Sequence, residues 1–172
     1  MGSDGSIIVF LPGAPEINQA KATIGNMTSG MPLLLLPLHG GLQPREQNVV
    51  FRRAQNAVKV ILSTNVAETS ITIPDCTVVI DCCREKQSSY DPVNRMPLLV
   101  EVFASQASIK QRRGRAGRVR EGKCYNLFRN IHMPTFRSTR RLKSCDAYWT
   151  KLFFHCSLLA LKQEMEISCK PC

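Results

Sequence analysis

The chain has no apolar run long enough to cross a bilayer. Its longest candidate, Leu33 to Leu38, is interrupted by Pro37 and is only strand-sized. The N-terminus lacks a basic region followed by an apolar stretch and a cleavage site, so no secretory signal is read there. No internal repeat is visible. The phosphate-cradling pattern G-x-x-x-x-G-K-[ST] is missing, and so is an acidic pair suited to hold magnesium. Nothing in the 172 residues would therefore cradle the α- and β-phosphates of a nucleotide. Acids are scarce as well: 13 Asp and Glu face 23 Lys and Arg, for a net charge of +10. That balance favours a polyanionic partner such as nucleic acid, although on bulk charge alone ordinary solubility charge fits equally well.

The length and the composition, 44% hydrophobic and 21% charged, describe one globular domain with a core. Eight cysteines would suit a disulfide scaffold only in a shorter, loop-rich chain. Here Cys76, Cys82, Cys83 and Cys124 sit inside strand-like and helix-like segments, which points to reduced thiols in an intracellular protein. Ser6 to Leu11 is a short continuous apolar run of the kind that forms a strand buried on both faces, and Pro12 and Gly13 end it. Ile17, Ala20 and Ile24 fall at helical spacing within Ala14 to Ile24. Asn26 to Pro32 reads as a loop, Leu33 to Leu38 as a strand and Gln43 to Arg53 as a helix with Val49 and Val50 inward. Val58 to Leu62 and Thr77 to Asp81 are further strands. This alternation predicts a parallel sheet with crossover helices. Glu85 to Val102 lacks helical periodicity, contains Pro92 and Pro97, and reads as a β-hairpin. A helix over Ser105 to Gly114 and a strand over Lys123 to Phe128 come next.

The most informative stretch is Gln111-Arg112-Arg113-Gly114-Arg115-Ala116-Gly117-Arg118. At or just beyond a helix end, Gln111, Arg115 and Arg118 lie at i, i+4 and i+7, on one face. Gly114 and Gly117 leave room for a phosphate or another backbone. Guanidinium forks suit phosphate oxygens. Two arginines and a glutamine meeting at one spot could clamp a γ-phosphate and orient a water. From spacing alone, a solvated basic helix that touches RNA phosphates remains the other reading.

That stretch resembles motif VI of DEAH-box RNA helicases, Q-R-x-G-R-x-G-R. Ser63 to Asp75 (STNVAETSITIPD) resembles their motif V, Gly5 to Ile17 (GSIIVFLPGAPEI) their motif IV, and Leu38 to Gln47 (LHGGLQPREQ) the motif between these two. Four ordered motifs over residues 5–130 identify this segment as similar to the second RecA-like, helicase C-terminal domain. The resemblance implies an α/β, three-layer RecA-like fold with a mostly parallel sheet, helices on both faces and a β-hairpin excursion.

The resemblance also implies roles. Gln111 would position the attacking water, and Arg115 and Arg118 would be arginine fingers on the γ-phosphate, together worth on the order of 10³ or more in rate. Arg112 and Arg113 are given a structural role. Phe51 would stack on the base, against the alternative of a core phenylalanine. Glu68, Thr72 and Asp75 complete the nucleotide set, with Glu68 also able to pair with a motif VI arginine. Pro74-Asp75 replaces the Asp-Gly often found there, which puts the ribose contact of Asp75 in doubt. His39, Gly40, Thr64 and Asn65 would touch the RNA backbone, although turn and cap chemistry explains such residues too. ATP with Mg2+ would be held chiefly by a first RecA-like domain supplied in cis or in trans. Residues 131–172 lack the pattern similar helicases show and read as a divergent, partly helical tail, with a helix near Leu142 to Leu161. Cys169-x-x-Cys172 beside His155 and Cys156 is too sparse for a zinc site, so no metal ligands are assigned. The alternative function is a non-enzymatic, truncated nucleic-acid-binding module or a gene fragment.

Overall fold

The computed structural model describes residues 5–27, 32–69, 71, 73–118 and 121–127. The chain divides after Asn126 into two units, and the described strands and helices belong to the first. Five strands run parallel: β1 (Ser6–Phe10), β2 (Leu33–Leu38), β3 (Val58–Ser63), β4 (Cys76–Asp81) and β7 (Lys123–Asn126). Their order is β2-β3-β1-β4-β7. The central strand β1 is buried along its whole length, as its unbroken apolar sequence requires. Pro37, which has no N–H to give, sits on the edge strand β2, where a missing donor costs least.

Side chains alternate across the sheet. On one face Ile8, Phe10, Ile61 and Val79 pack with Val50, Ala67 and Ile71. On the other face lie Ile7, Val9, Val60, Leu62 and Ile80, all buried. Helix α1 (Ala14–Met27) packs over β2 and β3 and buries the predicted stripe of Ile17, Ala20 and Ile24. Helix α4 (Gln106–Arg113) packs against β4 and against α3 (Val66–Thr69). Ser105 caps α4 by accepting a hydrogen bond from the Ser108 amide at 3.1 Å, and Gly114 closes it.

The excursion is the predicted hairpin, antiparallel strands β5 (Arg84–Asp91) and β6 (Met96–Phe103). Asp91 shapes its tip by accepting from the amides of Val93 (2.9 Å) and Asn94 (3.3 Å).

One predicted element differs. Gln43 to Arg53 is not a single helix. Pro44–Gln47 (α2) makes one α-turn, Asn48–Phe51 tightens to a 3-10 turn, and Arg52 leaves it in an extended conformation. Backbone carbonyls at this exit are captured from outside the segment, by the Lys59 ammonium, rather than by a continuing helix. Val50 is buried as expected. The tail helix, Cys156, Cys169, Cys172, His155 and Thr72 lie outside the described residues.

Candidate functional site

The predicted site residues fall into three groups. The first lies at the carboxyl edge of the sheet, where open α/β sheets bind ligands. His39 and Gly40 follow β2, and Thr64 and Asn65 follow β3. The Thr64 amide donates to the Leu38 carbonyl at 3.1 Å, which joins the two loops. The Leu42 amide closes the first loop on His39 O (3.1 Å), and the Glu68 amide closes the second on Asn65 O (2.9 Å). Asn65 and Gly40 are exposed, His39 is partly exposed, and Thr64 is buried. The edge therefore offers an amide side chain, an imidazole and a bare glycine to a ligand.

The second group surrounds the arginine-rich turn. Arg112 is 1% exposed and lies at the centre of an ion cluster. Its Nε donates to Glu68 Oε2 (3.1 Å), Nη1 to Asp81 Oδ1 (3.1 Å) and to the Arg84 carbonyl (3.2 Å), and Nη2 to Glu85 Oε2 (2.8 Å). The guanidinium also sits over the Phe10 ring, 5.3 Å from its centroid. Burial alone would lower the pKa of Arg112, but the carboxylates of Asp81 and Glu68 outweigh it and raise it. Asp81 is fully buried, and its Oδ2 has no hydrogen-bond partner among the described residues. Burial pushes its carboxyl up from the usual value despite Arg112. The structural role expected of Arg112 is borne out, and so is the pairing of Glu68 with a motif arginine.

Arg115 differs from expectation. Helix α4 ends at Arg113, so the helical spacing of Gln111, Arg115 and Arg118 does not set their directions. The chain turns instead, with Arg115 N bonded to Arg112 O (3.0 Å) and Gly117 at φ 81°. Arg115 is buried and points its guanidinium inward, donating to the carbonyls of Ile71 (3.1 Å) and Glu68. Burial, then the charge of Arg118, lowers its pKa. Gln111 and Arg118 are exposed. Gly122 approaches the turn closely, and an added Cβ there would lie 2.5 Å from the Gly117 amide nitrogen.

The third group is at the opposite, amino edge of the sheet. Asp75 precedes β4, accepts from Ser6 Oγ at 3.1 Å, and forms an ion pair with Lys59 at 2.7 Å. Lys59 also reaches the carbonyls on either side of Phe51, a residue that is 43% exposed. Phe51 is thus not the buried core phenylalanine of the alternative reading. Lys59, Asp81 and Glu85 were not singled out from the sequence. The available signal was a lysine inside the apolar run Val58-Lys59-Val60-Ile61-Leu62 and an acid closing the run Val78-Val79-Ile80.

No group of three or more potential metal ligands occurs among the described residues, and Glu68, Asp81 and Glu85 all turn onto Arg112. No helix among the described residues is long and apolar enough to cross a membrane. Burial pushes the Cys76 and Cys82 thiols up to about 12 and that of Cys124 to about 11.

Comparison with known proteins adds a family. The helicase conserved C-terminal domain matches residues 1–120. The chain is 44% identical over 128 residues to the DExH-box ATP-dependent RNA helicase DExH3 of Arabidopsis thaliana, covering 72% of this chain and 11% of that protein. It is 42% identical over 165 residues to the chloroplastic DExH-box ATP-dependent RNA helicase DExH4 of the same plant, covering 93% and 12%. The crystal structure of the Escherichia coli DExH-box NTPase HrpB superposes with a TM-score of 0.66 at 38% identity, covering 73% of this chain and 16% of that one. The chain thus spans roughly a tenth to a sixth of the length of these relatives.

Proposed function

The chain belongs to the helicase conserved C-terminal domain family of DExH/DEAH-box RNA helicases, and on that premise we propose that it is motor domain 2 of an intracellular ATP-dependent RNA helicase. Residues 5–130 form the motor unit in this reading. ATP is held by a separate first RecA-like domain, which carries the phosphate loop and the magnesium ligands. Across the cleft this chain presents Gln111 to the attacking water and Arg118 to the γ-phosphate. Arg115 joins Arg118 once it exchanges the carbonyls of Glu68 and Ile71 for phosphate oxygens. Phe51 stacks on the base, with Thr72 and Glu68 lining the nucleotide side and Asp75 behind Phe51, on Lys59. His39, Gly40, Thr64 and Asn65 grip the RNA backbone with little base preference.

The observation that carries this reading is the anchoring of Arg112. Four hydrogen bonds into the core fix the end of α4, while Gln111 and Arg118, on either side, remain exposed. A basic helix that merely touched solvent would need no such anchor. The test is RNA-stimulated ATP hydrolysis. The 172-residue chain alone is expected to show none, and the chain joined to a phosphate-loop domain is expected to be active. In the joined form, Arg118→Ala should lower kcat by on the order of 10³. Turnover by the isolated chain that Arg118→Ala abolishes, or full activity of the joined Arg118→Ala form, would sink the proposal.

A further inference from the structure

Lys59 is the least expected side chain in the fold. It lies in an apolar strand between two buried valines and is itself 2% exposed. An ammonium group is expensive to bury unless every donor is met. Here three acceptors meet three protons. Nζ donates to Val50 O at 3.0 Å, to Arg52 O at 3.1 Å and to Asp75 Oδ1 at 3.0 Å, and Asp75 Oδ2 lies 2.7 Å away. Two of those acceptors flank Phe51.

We propose that Lys59 is a positioning residue that presents Phe51 as a preformed stacking platform for a nucleobase. The proposal rests on the reading of Phe51 as the base-stacking residue. The 3-10 turn ends at Phe51, so the carbonyls there have no helical partner. Lys59 takes the one before and the one after the ring. Val50 is fully buried and anchors the near side, yet Phe51 as a residue stays 43% exposed. A phenylalanine needed only for packing would be turned inward. This one has its backbone fixed on both sides and its ring left available. Holding a contact group in its bound geometry removes the ordering cost from the binding step. Asp75 is the counter-ion that fixes the ammonium, which gives it a task at the amino edge of the sheet without any contact to the ribose.

The test is a double-mutant cycle on the chain joined to its phosphate-loop domain, reading the Kd of a fluorescent methylanthraniloyl-ATP so that no turnover is needed. Phe51→Ala should weaken binding roughly ten-fold, and equally for the corresponding GTP and CTP analogues, because stacking tolerates any base. Lys59→Met should weaken binding to a similar extent. The double variant should bind no worse than Phe51→Ala, because Lys59 acts through the ring. A double variant weakened about a hundred-fold, the product of two independent effects, overturns the proposal. So does wild-type affinity in Lys59→Met. Should Lys59→Met fail to fold, Asp75→Asn serves: its smaller loss is expected to vanish in the Phe51→Ala background, and its persistence there overturns the proposal by giving Asp75 a contact of its own. An unchanged Kd in Phe51→Ala removes the platform reading itself, whereas a normal Phe51→Ala effect with no Lys59 effect removes only the clasp.

Discussion

Replacing Arg112 by methionine gives the sharpest test of the ion cluster. Methionine keeps most of the side-chain length and removes the charge. Four hydrogen bonds disappear, and Glu68, Asp81 and Glu85 are left buried without their cation. Breaking a buried pair by removing one partner costs about 3–5 kcal/mol. A domain has about 5–15 kcal/mol in all, so the variant should be marginal at neutral pH. The pH dependence identifies the cause. Asp81 in the folded protein is raised above the usual 3.8. Between those two values the folded state binds more protons than the unfolded one, so stability falls as pH rises through the window. Arg112 is the largest influence pulling Asp81 back down. Without it the window extends to higher pH. The deficit of Arg112→Met against the native chain should therefore be larger at pH 8 than at pH 5. Urea denaturation followed by circular dichroism at both pH values measures it. A deficit below about 1 kcal/mol at pH 7, or one that does not change with pH, would refute the account of a cluster held by one cation.

Two further outcomes are expected. Gly122→Ala should destabilise the chain by about 1–3 kcal/mol, because its Cβ would meet the backbone of the arginine turn; thermal unfolding unchanged from the native chain would refute this. In native protein at pH 8, Cys76 and Cys82 should resist alkylation while Cys124, half-exposed and less raised, reacts first, and peptide mapping of the labelled chain would show the reverse order if burial does not govern these thiols.

The strands were legible because strands buried on both faces need unbroken apolar runs, and Ser6 to Leu11, Leu33 to Leu38 and Val58 to Leu62 supply them. The hairpin was legible because Pro92 and Pro97 exclude a helix. What misled was whatever depended on a partner distant in sequence. Gln43 to Arg53 has helical periodicity, but Lys59, from the next strand, takes the carbonyls at its end. Arg115 has the spacing of an outward finger, but the carbonyls of Glu68 and Ile71, more than forty positions earlier, turn it inward. The short helix α3 was missed because four residues carry no periodic signal. A pairing of Glu68 with a motif arginine is legible in the sequence, but not which arginine, and the two further acids of the cluster are hidden in strand sequence.

Among the described residues, the hairpin is fastened at its root. Glu85 bonds to Arg112 of α4 (2.8 Å), and Lys86 bonds to Glu16 of α1 (2.8 Å). Beyond that point β5 and β6 hold mainly to each other, and Tyr90, Val93, Leu98 and Leu99 stand exposed. Such an arrangement is a lever with a short inner arm. The five residues of β5 beyond Lys86 reach roughly 17 Å from the pivot. A tilt of about 5° at the root moves the far end by about 1.5 Å, given that length. A small tilt beside the arginine turn would therefore be felt mainly at the tip.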